Sequence, residues 1–243
     1  VARAANAYKD RFRVEIGGPG PSLMPDWVFE RTGIQPHVGI DDRFERQSGS
    51  YQYTITSRGC PRRCPHCAVP QLEPHLIEYD SFPVAPVIGD NNLLATSWQH
   101  QEAVVSAHTG LPQVDIQSGF DVHLFQEKHV VLYRQLRLKT WRFAFDQPDQ
   151  EVELIRCVHL LQGLGIRRSH AITVYVLVNH GELPGEAARR TQLVKDIGAL
   201  PFVMVYRPLD QLVNRRWLSP EWQRRELANF AGGINNSRAW RRS

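Results

Sequence analysis

Cysteine is scarce in this chain, and apolar runs long enough to cross a membrane are missing. Only four cysteines occur among 243 residues, which is too few for the disulfide framework that holds small secreted proteins together. No apolar run approaches the roughly 18 residues that a membrane-spanning helix needs, and no signal peptide is visible at the N-terminus. We therefore expect a cytoplasmic protein that keeps its thiols reduced and does not bind a membrane.

Neither charge nor hydrophobicity is extreme. Hydrophobic residues make up 42% and charged residues 22% of the chain, as in ordinary globular domains, and the length is enough for one large core. The net charge is +4, and residues 207–243 carry eight arginines against three acidic residues. Arginine and tryptophan mix there, at 215–217 and 238–242, which could bind nucleic acid through phosphate contacts and base stacking. A solvated terminal helix with a loose end explains the same composition.

Three of the four cysteines are clustered. Cys60, Cys64 and Cys67 have three and then two residues between them, and they follow a strand-like run at 51–57 and a glycine, Gly59. Three clustered thiolates can hold three irons of a four-iron, four-sulfur cluster, which four cysteines usually hold. A missing fourth ligand leaves one iron open, as the open metal position does in catalytic zinc sites.

Other uses of these thiols remain. A structural zinc site usually takes four ligands, often as two Cys-x-x-Cys pairs, so His66 or His75 would have to complete the set. Reactive thiols without a metal would give no reason for the spacing. The fourth cysteine, Cys157, lies in an amphipathic run at 153–161, where we expect a small buried hydrophobe.

From residue 51 onward, strand-like and helix-like runs alternate. The predicted strands are 52–57, 86–89, 113–118, 140–145, 171–178 and 202–206. The predicted helices are 97–108, 122–136, 150–164, 185–197 and 220–230. This alternation is typical of parallel βαβ units. Six units are too few for a closed eight-unit barrel of about 250 residues.

One face of these strands is polar. Side chains alternate between the two faces of a strand, and Thr173, Tyr175 and Asn179 share a face opposite a row of valines. A sheet buried on both sides is nearly all apolar, and buried polar groups need partners. A bound polar ligand would supply partners, and so would an internal hydrogen-bond network. Polar residues also follow several strands, at the edge where barrels and open α/β sheets bind ligands.

The cysteine motif on its loop after the first strand resembles that of the radical S-adenosylmethionine (radical SAM) superfamily. The resemblance implies an α/β fold, a partial (β/α)6 TIM-like barrel at residues 51–210. It also implies a short N-terminal extension at 1–50, similar at Ile16-Gly17-Gly18-Pro19-Gly20 to the end of a cobalamin-binding domain. Residues 211–243 would then form a basic C-terminal helix and tail.

The resemblance also assigns site residues. Cys60, Cys64 and Cys67 would ligate a [4Fe-4S] cluster, and His66 would lie near the adenine of S-adenosylmethionine (SAM). The remaining SAM-binding candidates stand at strand ends. They are Gly89, Asp90, Asn91 and Asn92, in the place of the family's Gly-Gly-Glu element, and Gln117, Arg142, Asp146 and Asn179. Among them, Asp90 would accept the amino group of SAM, Asp146 its ribose hydroxyls, and Arg142 would pair its carboxylate.

The implied activity is reductive. The cluster takes an electron from a donor such as flavodoxin or ferredoxin and cleaves SAM into methionine and a 5′-deoxyadenosyl radical, which abstracts hydrogen from a second substrate that the sequence does not identify. An iron–sulfur or zinc-bearing nucleic-acid-binding protein without SAM cleavage is the alternative, as is an electron-transfer module. Acid/base catalysis by Asp90, Asp115, Asp146 or Glu182 is a further one.

Overall fold

The computed structural model describes residues 1–39, 52–167, 171–208 and 217–236. Three short helices begin it: α1 (Ala2–Tyr8), α2 (Pro19–Leu23) and α3 (Pro25–Thr32). Proline opens both α2 and α3, where a helix needs no backbone donor. Ala5, Ile16 and Val28 form a small apolar cluster of their own.

A first group of strands surrounds the cysteine loop. The strands β1 (Tyr53–Thr54), β4 (Val87–Ile88) and β5 (Asp115–Ile116) form a parallel sheet in the order β1-β4-β5. The strands β2 (Ser57–Arg58) and β3 (Ile77–Glu78) form a separate antiparallel pair. The loop with the three cysteines and the short helix α4 (Val69–Leu72) lie between β2 and β3. The antiparallel pair thus brings the two ends of the cysteine loop together.

A second parallel sheet holds much of the core. It contains β6 (Trp141–Phe145), β7 (Ile172–Val178) and β8 (Leu200–Val205) in that order. Val174, Val176 and Val178 are fully buried, as the valine face of this strand predicts.

Helices follow the strands in alternation. They are α5 (Trp98–His108), α6 (Glu127–Tyr133), α7 (Glu151–Gly163), α8 (Pro184–Asp196) and α9 (Arg224–Asn235), with short 3₁₀ turns at Leu93–Ala95 and Pro148–Gln150. Ser97 caps α5 by accepting a hydrogen bond from the backbone N–H of His100 at 3.2 Å, a usual role for serine at a helix start.

The predicted partial (β/α)6 barrel is wrong. The strands of the described ranges form three separate small sheets, two of three strands and one of two, and none of these sheets forms a barrel. The first three parallel strands are two residues long each, too short for a continuous ladder. The two parallel sheets are linked by the isolated bridges Val114↔Leu138 and Phe120↔Phe143, and in the described residues no continuous ladder of hydrogen bonds joins one sheet to the other.

Between α1 and α2 the chain is irregular. Residues 13–16 have no regular structure, and helix α2 begins at Pro19. The proposed domain boundaries, near residues 50 and 210, lie outside the described residues, as do Arg215, Arg216 and the arginine–tryptophan cluster at 238–242. No helix in the part of the chain that the structure describes is both long and apolar enough to cross a bilayer.

Candidate functional site

The cysteine loop is closed by a glycine that no other residue can replace without strain. Gly59 has φ +82°, a conformation that L-residues rarely adopt. A Cβ at Gly59 would lie 1.9 Å from the carbonyl oxygen of His75. The two ends of the loop therefore approach each other closely, and Cys60 follows directly after this contact.

Within the loop, a tight turn relates two of the three thiols. The backbone N–H of Cys67 donates to the carbonyl oxygen of Cys64 at 3.1 Å. All three thiols are partly exposed, whereas Cys157 is fully buried in α7. The loop thiols are thus accessible to an added cofactor, and Cys157 is not.

Glu73 ties the loop together. Its carboxylate accepts hydrogen bonds from Nη1 of Arg58 at 2.9 Å and from the backbone N–H of Gly59 at 3.0 Å. It also accepts one from Nδ2 of Asn91, just after β4. The Glu73 side chain is only 12% exposed. Sequence reasoning missed this residue, because a single glutamate after a short helix matches no motif.

A second network reaches the cysteine sulfurs. Nδ2 of Asn92 lies 3.4 Å from Sγ of Cys60 and 2.9 Å from Oδ2 of Asp121. Nη1 of Arg62 donates to Oδ1 of Asp121 at 3.2 Å. Burial lowers the pKa of Arg62, but its interactions with Cys64 and with the charge of Asp121 outweigh burial and raise that pKa above its ordinary value.

The thiols influence one another. Burial raises the pKa of Cys67, a hydrogen bond from the backbone of Val69 opposes the rise, and negative charge on Cys64, Cys60 and Asp146 adds to it. Neighbouring thiolates repel one another, and metal binding deprotonates such thiols and removes the repulsion. Cysteine thiolates are the donors that hold iron–sulfur clusters, and Cys60, Cys64 and Cys67 would be the ligands of one here.

A single bound ion is a different matter. Across residues 1–39, 52–167, 171–208 and 217–236, no three His, Cys, Asp or Glu side chains are arranged to hold one metal ion. Such an ion needs all its ligands about 2.0–2.3 Å from one point. A four-iron cluster would bind each cysteine to a separate iron, so its three thiolates would not meet at one point.

A recess borders the third cysteine. The space in it that water can occupy is about 50 Å³, and it opens to solvent. It is lined by Leu23, Pro65, His66, Cys67, Ala68, Gln71 and Tyr206. Leu23 belongs to α2, so the N-terminal helices contribute one wall. The recess is smaller than small-molecule sites of about 300–1,000 Å³, so a ligand bound here would extend into the space open to solvent.

His66 connects this recess to the end of β6. Its Nε2 lies 3.3 Å from Oδ2 of Asp146, just after β6, and its ring contacts the ring of His180 edge-on, with centroids 5.6 Å apart. The His180 ring in turn contacts Tyr206 at 4.5 Å. Burial, and then the charge of His66, lower the pKa of His180, although Glu182 and Asp146 oppose this. The sequence-predicted residues His66 and Asp146 thus lie together beside Cys67.

Asp90 is in the predicted position, but its carboxylate already accepts hydrogen bonds from within the protein. It is fully buried, and its carboxylate accepts hydrogen bonds from the Thr56 backbone N–H at 2.6 Å, the Thr56 hydroxyl, and the Ser57 hydroxyl at 2.8 Å. Gly89 packs against Tyr53, whose hydroxyl oxygen would lie 1.8 Å from an added Cβ. Contact of Asp90 with a SAM amino group stays a prediction, and Thr56 and Ser57 would compete with it.

Two further predicted residues are held within the protein. Nη1 of Arg142 donates to Asp115 and, at 3.0 Å, to the carbonyl oxygen of Ile116. Asn179 is fully buried at φ +70°. Its side chain donates to the Tyr206 carbonyl at 3.0 Å and accepts from the Ser219 backbone at 2.9 Å.

Gln117, the last predicted residue, is exposed. On the polar face of the strands, Thr140 and Thr173 bond each other through their hydroxyls at 2.9 Å. Much of that polar face therefore has partners inside the protein, as the alternative of an internal network predicts.

The acidic residues considered for acid/base catalysis hold structural contacts. Asp115 faces Lys139 at 3.5 Å as well as Arg142, and Glu182 accepts the backbone N–H groups of Asn179 and His180 at 2.8 and 2.9 Å. These carboxylates are occupied as hydrogen-bond acceptors, and the geometry does not favour them as an acid/base pair.

Comparison with known proteins does not assign this chain to a family. A scan against protein-family models finds no match for this chain, and a search of curated proteins finds none either. The interpretation of the site therefore depends on its residues and geometry.

Proposed function

We propose that the chain is a radical SAM enzyme. In this proposal Cys60, Cys64 and Cys67 hold a [4Fe-4S] cluster, and SAM binds in the recess beside Cys67. The observation that carries the proposal is the convergence of three thiols with two strand ends. Asn92, after β4, reaches Sγ of Cys60, and Asp146, after β6, reaches His66.

When bound, the cluster would supply the electron that breaks a carbon–sulfur bond of SAM, which yields methionine and a radical able to abstract hydrogen from a second substrate. The chain's own residues would bind and orient. Asp146 holds the His66 ring at one wall of the recess, and Leu23 and Tyr206 line others. Glu73 keeps the loop closed beneath the thiols.

Two requirements follow from this chemistry. The electron must come from an external donor of low potential, such as a flavodoxin or ferredoxin, and the free thiols need a reducing compartment, such as the cytoplasm. The basic C-terminal residues leave a nucleic acid as a candidate second substrate.

The experiment is anaerobic reconstitution with iron and sulfide, followed by SAM and a strong reductant, with 5′-deoxyadenosine measured by mass spectrometry. We expect the product from the native chain and from Cys157→Ala, whose thiol is buried away from the loop. Cys64→Ala should lose both the brown cluster and the product.

Two results would contradict the proposal. A native chain that holds a stable cluster but forms no 5′-deoxyadenosine would indicate a binding or electron-transfer protein. Bound zinc in place of iron would indicate the zinc alternative.

A further inference from the structure

Asn92 is oriented by more than one contact. It is only 6% exposed, and its amide nitrogen carries two hydrogens. One points at Sγ of Cys60, 3.4 Å away, and the other at Oδ2 of Asp121, 2.9 Å away. Since a carboxylate only accepts hydrogen bonds, Asp121 fixes which side of the amide faces Cys60.

Arg62 is oriented by the same carboxylate. Its Nη1 lies 3.2 Å from Oδ1 of Asp121, and its positive charge interacts with Cys64 and Cys60. The Asp121 side chain is 8% exposed, whereas that of Arg62 is 32% exposed. One nearly buried carboxylate therefore positions an N–H donor at Cys60 and a positive charge near the same loop.

These groups act on charge. A cluster becomes more negative when it is reduced, and N–H groups that bond its cysteine sulfurs stabilise the reduced form more than the oxidised form. Hydrogen bonds to the sulfurs are among the main determinants of cluster potential, and residues outside the ligand shell commonly tune metal sites in this way. The positive charge of Arg62 acts in the same direction.

We propose, on the basis of the function proposed above, that Asn92 and Arg62 are positioning residues that raise the reduction potential of the cluster, Asn92 by hydrogen-bonding Cys60 and Arg62 by the positive charge that Asp121 holds near the cysteine loop. Asp121 orients both side chains. The consequence is an electron-accepting site whose potential is set by three residues that ligate no iron.

The test compares two neighbouring arginines. Arg62→Gln removes the positive charge that Asp121 holds near the cysteine loop, and Arg63→Gln removes the same charge from the neighbouring, exposed side chain. Both positions are accessible enough for the variants to fold. Iron content is measured first, and the midpoint potential is then measured by redox titration followed by electron paramagnetic resonance.

We expect Arg62→Gln to shift the midpoint to a more negative value at unchanged iron content, with Arg63→Gln close to the native chain. Asn92→Ala should shift it in the same direction. If Asn92→Ala loses iron, the result for Arg62→Gln decides, because Arg62 is the more exposed of the two.

Equal midpoints for Arg62→Gln and the native chain would overturn the inference, and so would equal shifts in the two arginine variants, which would indicate a general charge effect. A native chain that binds no iron would instead refute the proposed function itself. The iron content of the native chain thus tests the proposed cluster, and the midpoint potentials test the proposed roles of Asn92 and Arg62.

Discussion

Replacing Asp90 by alanine is expected to destabilise the whole fold. The Asp90 side chain has no exposed surface, and it joins the end of β4 to the segment between β1 and β2. The substitution removes the acceptor for the Thr56 N–H and for the Ser57 hydroxyl. The Thr56 hydroxyl loses a partner too, but it still faces Nε2 of His100 at 3.1 Å.

The magnitude follows from these donors. Each buried donor left without an acceptor costs about 1–3 kcal/mol. Two donors without a ready substitute, at Thr56 and Ser57, suggest a loss of about 2–6 kcal/mol, which is a large part of the roughly 5–15 kcal/mol that stabilises a typical domain. Asp90→Asn should cost about half as much, because one amide oxygen still accepts hydrogen bonds.

Urea unfolding followed by far-ultraviolet circular dichroism measures this loss. With a slope of about 2–3 kcal/mol per molar urea, the unfolding midpoint of Asp90→Ala should fall by about 1–2 M. Asp149→Ala, at an exposed site, is the control and should leave the midpoint unchanged. An Asp90→Ala midpoint equal to that of the native chain, together with weaker SAM binding, would refute this reasoning and favour Asp90 as a SAM ligand.

Two further predictions concern the loop closure and pH. Gly59→Ala should cost at least about 2 kcal/mol of stability and reduce iron retention, because a left-handed alanine costs about 1–2 kcal/mol before the clash with His75 is counted. Gly110→Ala is the control: Gly110 also has a positive φ, +98°, but no atom lies within 4 Å of an added Cβ, so only thermal stability should fall. Equal iron loss from both variants would contradict the prediction. Burial, and then the charge of Lys128, lower the pKa of His129 from 6.5 to about 4. Because the pKa of His129 in the folded state lies below its value in the unfolded state, the contribution of neutral His129 to the free energy of unfolding is complete above pH 6.5 and is lost as the pH falls toward 4. The urea midpoint of His129→Gln should therefore depend less on pH between 6.5 and 4 than that of the native chain. The same pH dependence in both proteins would contradict this role of His129.

Element types were largely predictable from local patterns. The strand predicted at 171–178 is found at Ile172–Val178 and the helix predicted at 185–197 at Pro184–Asp196, because strong periodicity and clear end signals mark both. The strand predicted at 52–57 splits into β1 and β2, which pair with different partners. Pairing depends on neighbouring strands that local patterns do not describe.

The barrel was predicted wrongly for the same reason. Alternation of strands and helices indicates parallel sheets, and both three-stranded sheets are parallel. Whether they join into a barrel depends on the pairing between β5 and β6, where isolated bridges replace a ladder. A count of predicted strands contains no information about that pairing.

The sequence alone determined the cysteine spacing, the glycine that precedes it and the order of the strands and helices, since these depend on residues near one another in the chain. Only the tertiary structure showed what surrounds the thiols. Glu73 bonds Gly59 across 14 residues, and Arg62 bonds Asp121 across 59. Hydrogen bonds of this kind need donor and acceptor within about 3 Å. Strand pairing and loop packing set such distances, so residues as ordinary in the sequence as Glu73 and Asp121 become the supports of the candidate site.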